Sequence, residues 1–390
     1  MSFDDIIDRR GTHCSKWDKM QGLYGVSPDT GIAMWVADMD FQSPECVRRV
    51  VQEQADHGIY GYSGDPSDYL AAIQWWMQTR HGWTVEPESI FNTAGLINAV
   101  AVCLDSFTEP GDGVVLFTPV YQAFSKIIRT AGREVVECNL TLEDGMYAMD
   151  FDAYDAQMTG REKMVILCSP HNPGGRVWTA EELRGVADFA KRHDLILISD
   201  EVHGDLVFHG HKHLPMPVAV PEITDRLIML TASSKTFNIA GLHVGNAIIS
   251  DPTLRAKFAA RMAALGIAVN SIGTLMVTAA YSPEGAAWVD ELVTYIEGNV
   301  AVFREGISAI PGVSVMPMQS TYLSWVDFAG TGMEHEEIIR RVCTEAQIAA
   351  NYGPTFGSGG ETFLRFNLGT QRSVIHDAVG RMQKAFADLQ

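Results

Sequence analysis

The chain has 390 residues, of which 46% are hydrophobic and 20% are charged, an ordinary composition for a globular protein with a sizeable core. This composition excludes a disordered chain, a collagen and a small disulfide-stapled domain, and the length favours two domains. Acidic residues outnumber basic ones by 48 to 29, which gives a formal net charge of −19. Binding to nucleic acid or to an anionic membrane surface is therefore not expected.

Six cysteines are scattered along the chain without a CxxC pair, which is typical of free thiols in a reducing compartment and not of a zinc site. The N-terminus has neither the basic nor the apolar region of a signal peptide, so we expect a cytoplasmic protein. The segment 262–283 carries no formal charge, but it contains polar residues, glycine and proline. A buried or inter-subunit helix is favoured there over a membrane span.

In chain order, the first 45 residues show no clear series of strands. Four short apolar runs follow in the middle of the chain, each with the unbroken hydrophobicity of a parallel strand covered on both faces. These runs are Gly113–Thr118, Lys163–Cys168, Leu195–Ser199 and Arg226–Leu230. A helix between two of them begins at Thr179 as its N-cap. Strands that alternate with helices predict an α/β domain with a mainly parallel sheet over residues 46–284.

The last third of the chain has a different pattern. Helical patterns over 284–307 and 334–349 alternate with strand-like segments over 321–326 and 362–366. This pattern predicts a smaller α+β domain, which we expect to be discontinuous and to combine residues 1–45 with residues 285–390.

Several common functional motifs are absent from the sequence: GxGxxG, GxxxxGK[ST], GxSxG and HExxH. His209, His211 and His213 alternate and would share one face of a strand, where they could bind a metal. No acidic or cysteine ligand is adjacent to them, so a structural loop is favoured and no metal site is predicted.

Polar side chains follow three of the predicted strands. Asn172 lies after the second run, Asp200 after the third, and Ser234 and Lys235 after the fourth. Ligands of an open parallel sheet bind outside the carboxyl ends of its strands, so these residues are expected to converge on one crevice. A desolvated lysine can bind an aldehyde, a carboxylate can keep a heteroaromatic nitrogen protonated, and an amide can donate to a ring oxygen. Together they predict a pyridoxal 5'-phosphate (PLP) site.

With these residues in this order, the chain resembles the fold-type I PLP enzymes of the aminotransferase class I/II superfamily over essentially its whole length. More narrowly, it is similar to the MalY/PatB branch of cystathionine β-lyases, also called cysteine-S-conjugate β-lyases. The resemblance is carried by Arg9–Asp18, Met34–Phe41, Gly61–Ser63, Pro170–Pro173, Asp200–His203, Ser234–Gly241 and Phe363–Asn367. It implies the three-layer, aspartate aminotransferase-like fold for the large domain.

The resemblance also implies roles for the residues at the strand ends. Lys235 would form a Schiff base with the cofactor aldehyde and then act as general base, while Asp200 would pair with the ring nitrogen. Asn172 would donate to the ring oxygen O3′. His203 stands where many transaminases have a tyrosine donor, and whether it donates in the same way is left open. Tyr121 would stack on the ring.

The remaining site residues would bind the anionic groups. The phosphate is expected at Ala94, Gly95 and Leu96, which follow a short strand and begin a helix, where main-chain amides favour an anion. The hydroxyl of Ser234 would add a further donor. Tyr62 would reach the phosphate from the other subunit of a homodimer, with Tyr60 as the nearby alternative. Arg365 would bind the substrate α-carboxylate through its planar fork.

One position departs from the pattern of many transaminases, which place an arginine on the phosphate eight residues after the lysine. This chain has His243 there, and its contact with the phosphate is left open.

The activity that the resemblance implies is α,β-elimination from cystathionine or a related cysteine S-conjugate, giving a thiol, pyruvate and ammonia. The alternative is transamination with a 2-oxo acid, which uses the same cofactor, lysine and arginine. Some members of the branch also modulate a transcription activator by protein contact, which leaves an additional regulatory role open.

Overall fold

The protein is described by a computed structural model that covers residues 2–268 and 270–389. The helices of this part of the chain are α1 (Ser15–Asp18), α2 (Met20–Tyr24), α3 (Glu45–His57), α4 (Ser67–His81), α5 (Leu96–Phe107), α6 (Gln122–Thr130), α7 (Phe151–Gln157), α8 (Ala180–Arg192), α9 (Met216–Ala219), α10 (Pro252–Ala264), α11 (Ser271–Ala280), α12 (Pro283–Ser308), α13 (His335–Ile339) and α14 (Arg372–Ala385). The strands are β1 (Ile32–Ala33), β2 (Ile90–Thr93), β3 (Gly113–Thr118), β4 (Glu134–Asn139), β5 (Thr141–Glu143), β6 (Met146–Ala148), β7 (Glu162–Cys168), β8 (Ile196–Asp200), β9 (Leu227–Thr231), β10 (Gly245–Ile248), β11 (Ser314–Val315), β12 (Leu323–Asp327), β13 (Ile348–Ala349), β14 (Asn351–Tyr352) and β15 (Phe363–Asn367). Short 3-10 helices cover Pro87–Ser89, Pro221–Arg226, Ala240–Leu242, Ala329–Thr331, Gly353–Phe356 and Ala387–Leu389, and Arg340–Glu345 forms a π-helix.

The central sheet has seven strands in the order β2-β10-β9-β8-β7-β3-β4. All its strands are parallel except β10, which runs antiparallel to both of its neighbours. The four predicted strands correspond to β3, β7, β8 and β9, with bounds that differ by at most one residue. The prediction of a mainly parallel sheet is confirmed.

Alternate residues of the central strands enter two different hydrophobic clusters, one on each face of the sheet. Val114 and Leu116 of β3 pack with helices α5, α6 and α10, whereas Val115 and Phe117 pack with α8 and with α3, α4 and α11. The sheet is therefore covered by helices on both faces. This arrangement is the predicted three-layer fold, and it explains why the strand sequences have no polar face.

A second sheet of four antiparallel strands has the order β11-β12-β15-β14, and helices α12 and α14 pack together beside it. Ile32 and Met34 belong to the hydrophobic cluster of this region, and β1 pairs in parallel with β13. The N-terminal segment thus packs with the C-terminal third. We propose the division into residues 46–284 and residues 1–45 with 285–390, although α12 begins just before that boundary.

Two sequence predictions are wrong in detail. The helix predicted over 334–349 ends as a π-helix at Glu345; Gln347 has a positive φ of 55°, and Ile348 and Ala349 form strand β13 instead. The uncharged segment 262–283 is not one helix, because α10 ends at Ala264 and α11 begins after the cap Asn270, whose Oδ1 accepts from the Gly273 amide at 2.9 Å. Val269 of that segment lies outside the described residues.

Along the described helices, none combines the length and the apolar character that a membrane-spanning segment needs.

Candidate active site

The polar residues at the strand ends meet because β7, β8 and β9 are neighbours in the central sheet. Asn172 follows β7, Asp200 is the last residue of β8, and Lys235 follows β9. All three line one cavity of about 230 Å³. Other predicted site residues that line it are Ala94, Gly95, Leu96, Tyr121, His203 and Ser234. The structure therefore brings most of the predicted set together at the carboxyl edge of the sheet.

Lys235 and Asp200 are both buried, and burial dominates the ionisation of each. Desolvation lowers the pKa of Lys235 to about 8, aided by the positive charge of Arg365 and opposed by the nearby carboxylates. Desolvation raises the pKa of Asp200 to about 7, against the hydrogen bond from the Val202 amide and the attraction of Lys235. A lysine with such a pKa reaches its neutral, nucleophilic form near neutral pH.

The Lys235 amine does not bond to Asp200. Its Nζ donates to the main-chain oxygen of Ala37 at 2.9 Å, and the hydroxyl of Tyr322 donates to the same oxygen at 2.9 Å. Ala37 also lines the cavity, although it lies in the N-terminal segment, far from Lys235 in sequence.

Asn172 and Arg365 form one polar unit behind the cavity. Arg365 Nη1 donates to Asn172 Oδ1 at 2.9 Å, and Arg365 Nη2 donates to the Trp35 carbonyl at 3.0 Å. Since its oxygen is occupied, the amide nitrogen of Asn172 is left to donate to a ligand. Arg365 is buried on strand β15, which lowers its pKa to about 10, and its Nε has no hydrogen-bond partner among the described residues. Arg365 lies beside the cavity and is not part of its lining.

Residues 94–96, which also line the cavity, have the form of an anion site. Strand β2 leads through Ala94 to Gly95, the N-cap of α5, which has a φ of 87°. The first amides of a helix have no partner inside it and point toward its N-terminal end. Asn98 Oδ1 accepts from the Ala94 amide at 3.2 Å and fixes this turn. His243 also lines the cavity, and its Nδ1 is 3.8 Å from the position that a Cβ on Gly95 would occupy.

His203 provides an independent test of whether these residues fit PLP. Its ring is buried and lines the cavity, and its Nδ1 has no hydrogen-bond partner in the described part of the protein. Desolvation, aided by the positive charges of Lys235 and Arg365, lowers its pKa to about 3, so the ring is neutral. A buried nitrogen without a hydrogen-bond partner lowers the stability of the protein unless a bound ligand supplies that partner. The amine, carboxylate, amide and helix N-terminus around it match the groups of PLP.

Tyr62 does not join the cavity within one chain. Its side chain is fully exposed, and the nearby side chains of Ile59 and Tyr60 are mostly exposed. The predicted role of Tyr62 across subunits therefore remains a prediction.

The three alternating histidines lie in a loop, as favoured from the sequence, and make separate contacts. His213 Nε2 lies 2.7 Å from Glu201 Oε2 in the interior, His209 Nδ1 lies 2.5 Å from Glu297 Oε2 at the surface, and His211 is exposed.

Sequence reasoning did not assign roles to Ala37, Tyr322 or Asn98. The contact of Ala37 uses a main-chain oxygen, which has no side-chain signature. Tyr322 lies between β11 and β12 without a motif of its own. Asn98 could have been found as a polar residue in the first turn of an otherwise apolar helix, directly after the predicted phosphate loop.

The fold and this site define a family. The chain matches the family described as aminotransferase class I and II over residues 31–382, and it belongs to that family.

Two relatives are similar over nearly their whole length. The chain is 38% identical to the cystathionine β-lyase PatB of Bacillus subtilis, with 99% of this chain and all of the relative aligned. It is 31% identical to the protein MalY of Escherichia coli, with 98% of each chain aligned. These similarities confirm the predicted relationship to the MalY/PatB branch.

A solved structure agrees with the sequence relatives. The crystal structure of cystalysin from Treponema denticola, which contains a pyridoxal 5'-phosphate cofactor, superposes on this protein with a TM-score of 0.94 at 34% identity. The superposition covers all of this chain and 99% of the other.

Proposed function

We propose that this protein is a PLP-dependent carbon–sulfur β-lyase. It converts a thioether amino acid, such as cystathionine or another cysteine S-conjugate, and water to a thiol, pyruvate and ammonia. The observation that carries the proposal is the convergence of Lys235, Asp200 and Asn172 on one cavity that also receives the N-terminus of α5. The similarity to a cystathionine β-lyase over the full chain favours elimination over transamination.

The residues would hold PLP by both of its ends. Lys235 anchors the aldehyde carbon, Asp200 pairs with the ring nitrogen, and the Asn172 amide donates to the ring oxygen. Tyr121 packs against the ring. The amides of Gly95 and Leu96 and the hydroxyl of Ser234 bind the phosphate beside Ala94, whose own amide already donates to Asn98 Oδ1.

When bound, PLP supplies an electron sink for the electron pair left on the substrate Cα after its proton is removed. Lys235 is the base that takes this proton, because its burial makes a neutral amine available near neutral pH. Asp200 keeps the ring nitrogen protonated, and its buried position makes that pairing strong. Arg365 would hold the substrate carboxylate and thereby restrict how the substrate is oriented relative to Lys235.

The proposal is tested by a panel of sulfur amino acids assayed for thiol and pyruvate without any 2-oxo acid. We expect stoichiometric release of both products by the wild-type protein. The Lys235→Ala variant should release neither and should lose the absorbance of the lysine-bound cofactor. A strict requirement for a 2-oxo acid acceptor, with no thiol released, would show that the protein is an aminotransferase.

We further propose a cytoplasmic homodimer. The exposed apolar side chains of Ile59, Tyr60 and Tyr62 support a subunit interface, because large apolar groups clustered at a surface mark interaction sites. The six cysteines are all free, which suits a reducing compartment.

A further inference from the structure

The segment Trp35–Phe41 contributes Ala37 to the lining of the cavity and does not belong to a sheet. Every main-chain carbonyl in it accepts a hydrogen bond from a side chain. The donors are Asn351 and Arg365 to Trp35, Asn367 to Val36, Lys235 and Tyr322 to Ala37, Lys16 and Asn367 to Asp38, Arg9 and Asn238 to Met39, Gln371 to Asp40, and Asn238 to Phe41. Side chains thus supply the hydrogen-bond donors for the carbonyl oxygens of this segment, as the main-chain amides of neighbouring strands do in a sheet.

An ion network from the N-terminus holds the same segment. Lys16 has 0% of its side chain exposed, and its Nζ lies 2.7 Å from Oδ2 of Asp40, which is 3% exposed. Arg9 Nη1 lies 2.9 Å from Asp38 Oδ1, 2.8 Å from Asp40 Oδ1 and 3.0 Å from the Met39 oxygen. Two cations therefore bind two carboxylates and two main-chain oxygens of one short segment.

Burying Lys16 and Asp40 carries a desolvation cost that a hydrophobic pair would avoid, so stability alone is a weak reason for this arrangement. What a buried, multiply bonded ion pair does provide is a fixed geometry. The ion network fixes the position of main chain that reaches the active site. Ala37 directly precedes Asp38, and the Ala37 oxygen accepts a hydrogen bond from the Lys235 amine.

We propose that Arg9 and Lys16 are positioning residues for Lys235. They hold Asp38 and Asp40, and through them they keep the Ala37 oxygen where it orients the Lys235 amine for removal of the substrate Cα proton. This inference rests on the proposed role of Lys235 as the base. It also gives a role to the Arg9–Asp18 and Met34–Phe41 strings, which carry the family resemblance but have no assigned chemistry.

The test compares Arg9→Gln with Arg10→Gln in the holoenzyme. Arg10 is the matched control, because it is exposed and its ion-pair partner among the described residues is Asp8, outside the segment. Two measurements are needed. Amide hydrogen exchange of the 35–41 peptide reports how firmly the segment is held. Exchange of the Cα proton of L-alanine in D₂O, followed by ¹H NMR, reports proton removal and needs neither elimination nor an acceptor.

We expect Arg9→Gln to accelerate amide exchange in the 35–41 peptide about tenfold and to lower the saturated rate of alanine Cα exchange about tenfold, with half-saturation changed less than about twofold. Arg10→Gln should behave as the wild type in both. The inference is overturned if the Arg9 variant loosens the segment but exchanges alanine at the wild-type rate, or if the segment stays protected.

Two features keep this test decisive. If Arg9→Gln does not fold, Arg9→Lys paired with Arg10→Lys replaces it, since lysine keeps the charge but has all its donors on one nitrogen and lacks the planar fork with which Arg9 contacts both carboxylates. A failure of the proposed lyase function would appear separately, as a wild-type enzyme that releases no pyruvate from thioethers yet exchanges the alanine Cα proton.

Discussion

At the residue scale, Lys235 and Asp200 show burial outweighing attraction between opposite charges. Each is closer to its neutral form than it would be in water, because desolvation is the largest influence on both pKa values. The Lys235 amine bonds to a main-chain oxygen, which leaves the Asp200 carboxylate available for its proposed pairing with the ring nitrogen of PLP. The two groups can therefore serve different atoms of the same cofactor.

The raised pKa of Asp200 makes the stability of the cofactor-free protein depend on pH. The folded protein keeps the proton up to a pKa of about 7, whereas the unfolded chain loses it near the ordinary value of 3.8. Between these values folding takes up a proton, so this term favours the folded state at low pH and is lost as the pH rises through that window. Relative to Asp200→Asn, the wild-type protein should lose a few kcal/mol of unfolding free energy between pH 4 and pH 7.

Urea unfolding of both proteins at several pH values measures this difference. Asp188→Asn, at an exposed position of α8, is the control and should follow the wild type. A constant difference between Asp200→Asn and the wild type across the window would contradict the raised pKa.

At the scale of the elements, helix caps set where the chain turns toward the site. Thr179 begins α8 with a capping box, in which its Oγ1 accepts from the Glu182 amide at 3.2 Å and Glu182 Oε2 accepts from the Thr179 amide at 2.7 Å. α8 is the crossover between β7 and β8, the strands that present Asn172 and Asp200.

Thr179→Ala should therefore lower the unfolding free energy by about 1 kcal/mol, because the Glu182 amide in the first turn loses its side-chain acceptor. Chemical denaturation measures the change. Thr253→Ala is a suitable comparison, since Thr253 lies exposed in the first turn of α10, where Asp251 is the cap. Equal effects of the two substitutions would argue against the capping box as the source of the stability.

At the scale of the whole molecule, the net charge of −19 does not prevent anion binding, because the proposed binding groups act locally. The N-terminus of α5 lines the cavity, and the buried Arg365 lies beside it. At distances of a few ångströms their field exceeds that of surface carboxylates, which water and salt screen.

The proposed homodimer predicts complementation between two inactive variants. If Tyr62 acts across subunits, co-expressed Tyr62→Ala and Lys235→Ala chains form hybrid dimers in which one site carries both changes and the other carries neither. Hybrid dimers isolated through a different affinity tag on each chain should then show about half of the wild-type activity, whereas each variant alone stays far below it. Activity assays of the isolated hybrids measure this. Hybrids no more active than the parents would place Tyr62 outside the partner's site.

Much of the site could be predicted because it depends on short-range signals. The apolar runs that became β7, β8 and β9 are followed directly by Asn172, Asp200 and Lys235, and parallel strands bring such residues together. The ends of helices and strands were less predictable where pairing with a segment distant in sequence set them. Ile348 and Ala349 continue a helical pattern, but they pair with Ile32 and Ala33 as a strand.

The sequence by itself thus determined the layered α/β architecture, the family and the residues at the strand ends, since hydrophobic period and local motifs carry that information. Only the tertiary structure decided the position of Ala37 beside Lys235 and the support of the Trp35–Phe41 segment by Arg9, Lys16 and the C-terminal third. The contacts of Lys235, Tyr322 and Asn367 join main-chain oxygens of this segment to side chains about 200 or more residues away. A carbonyl oxygen is the same in every residue, so no sequence pattern shows which one the fold will place at the site.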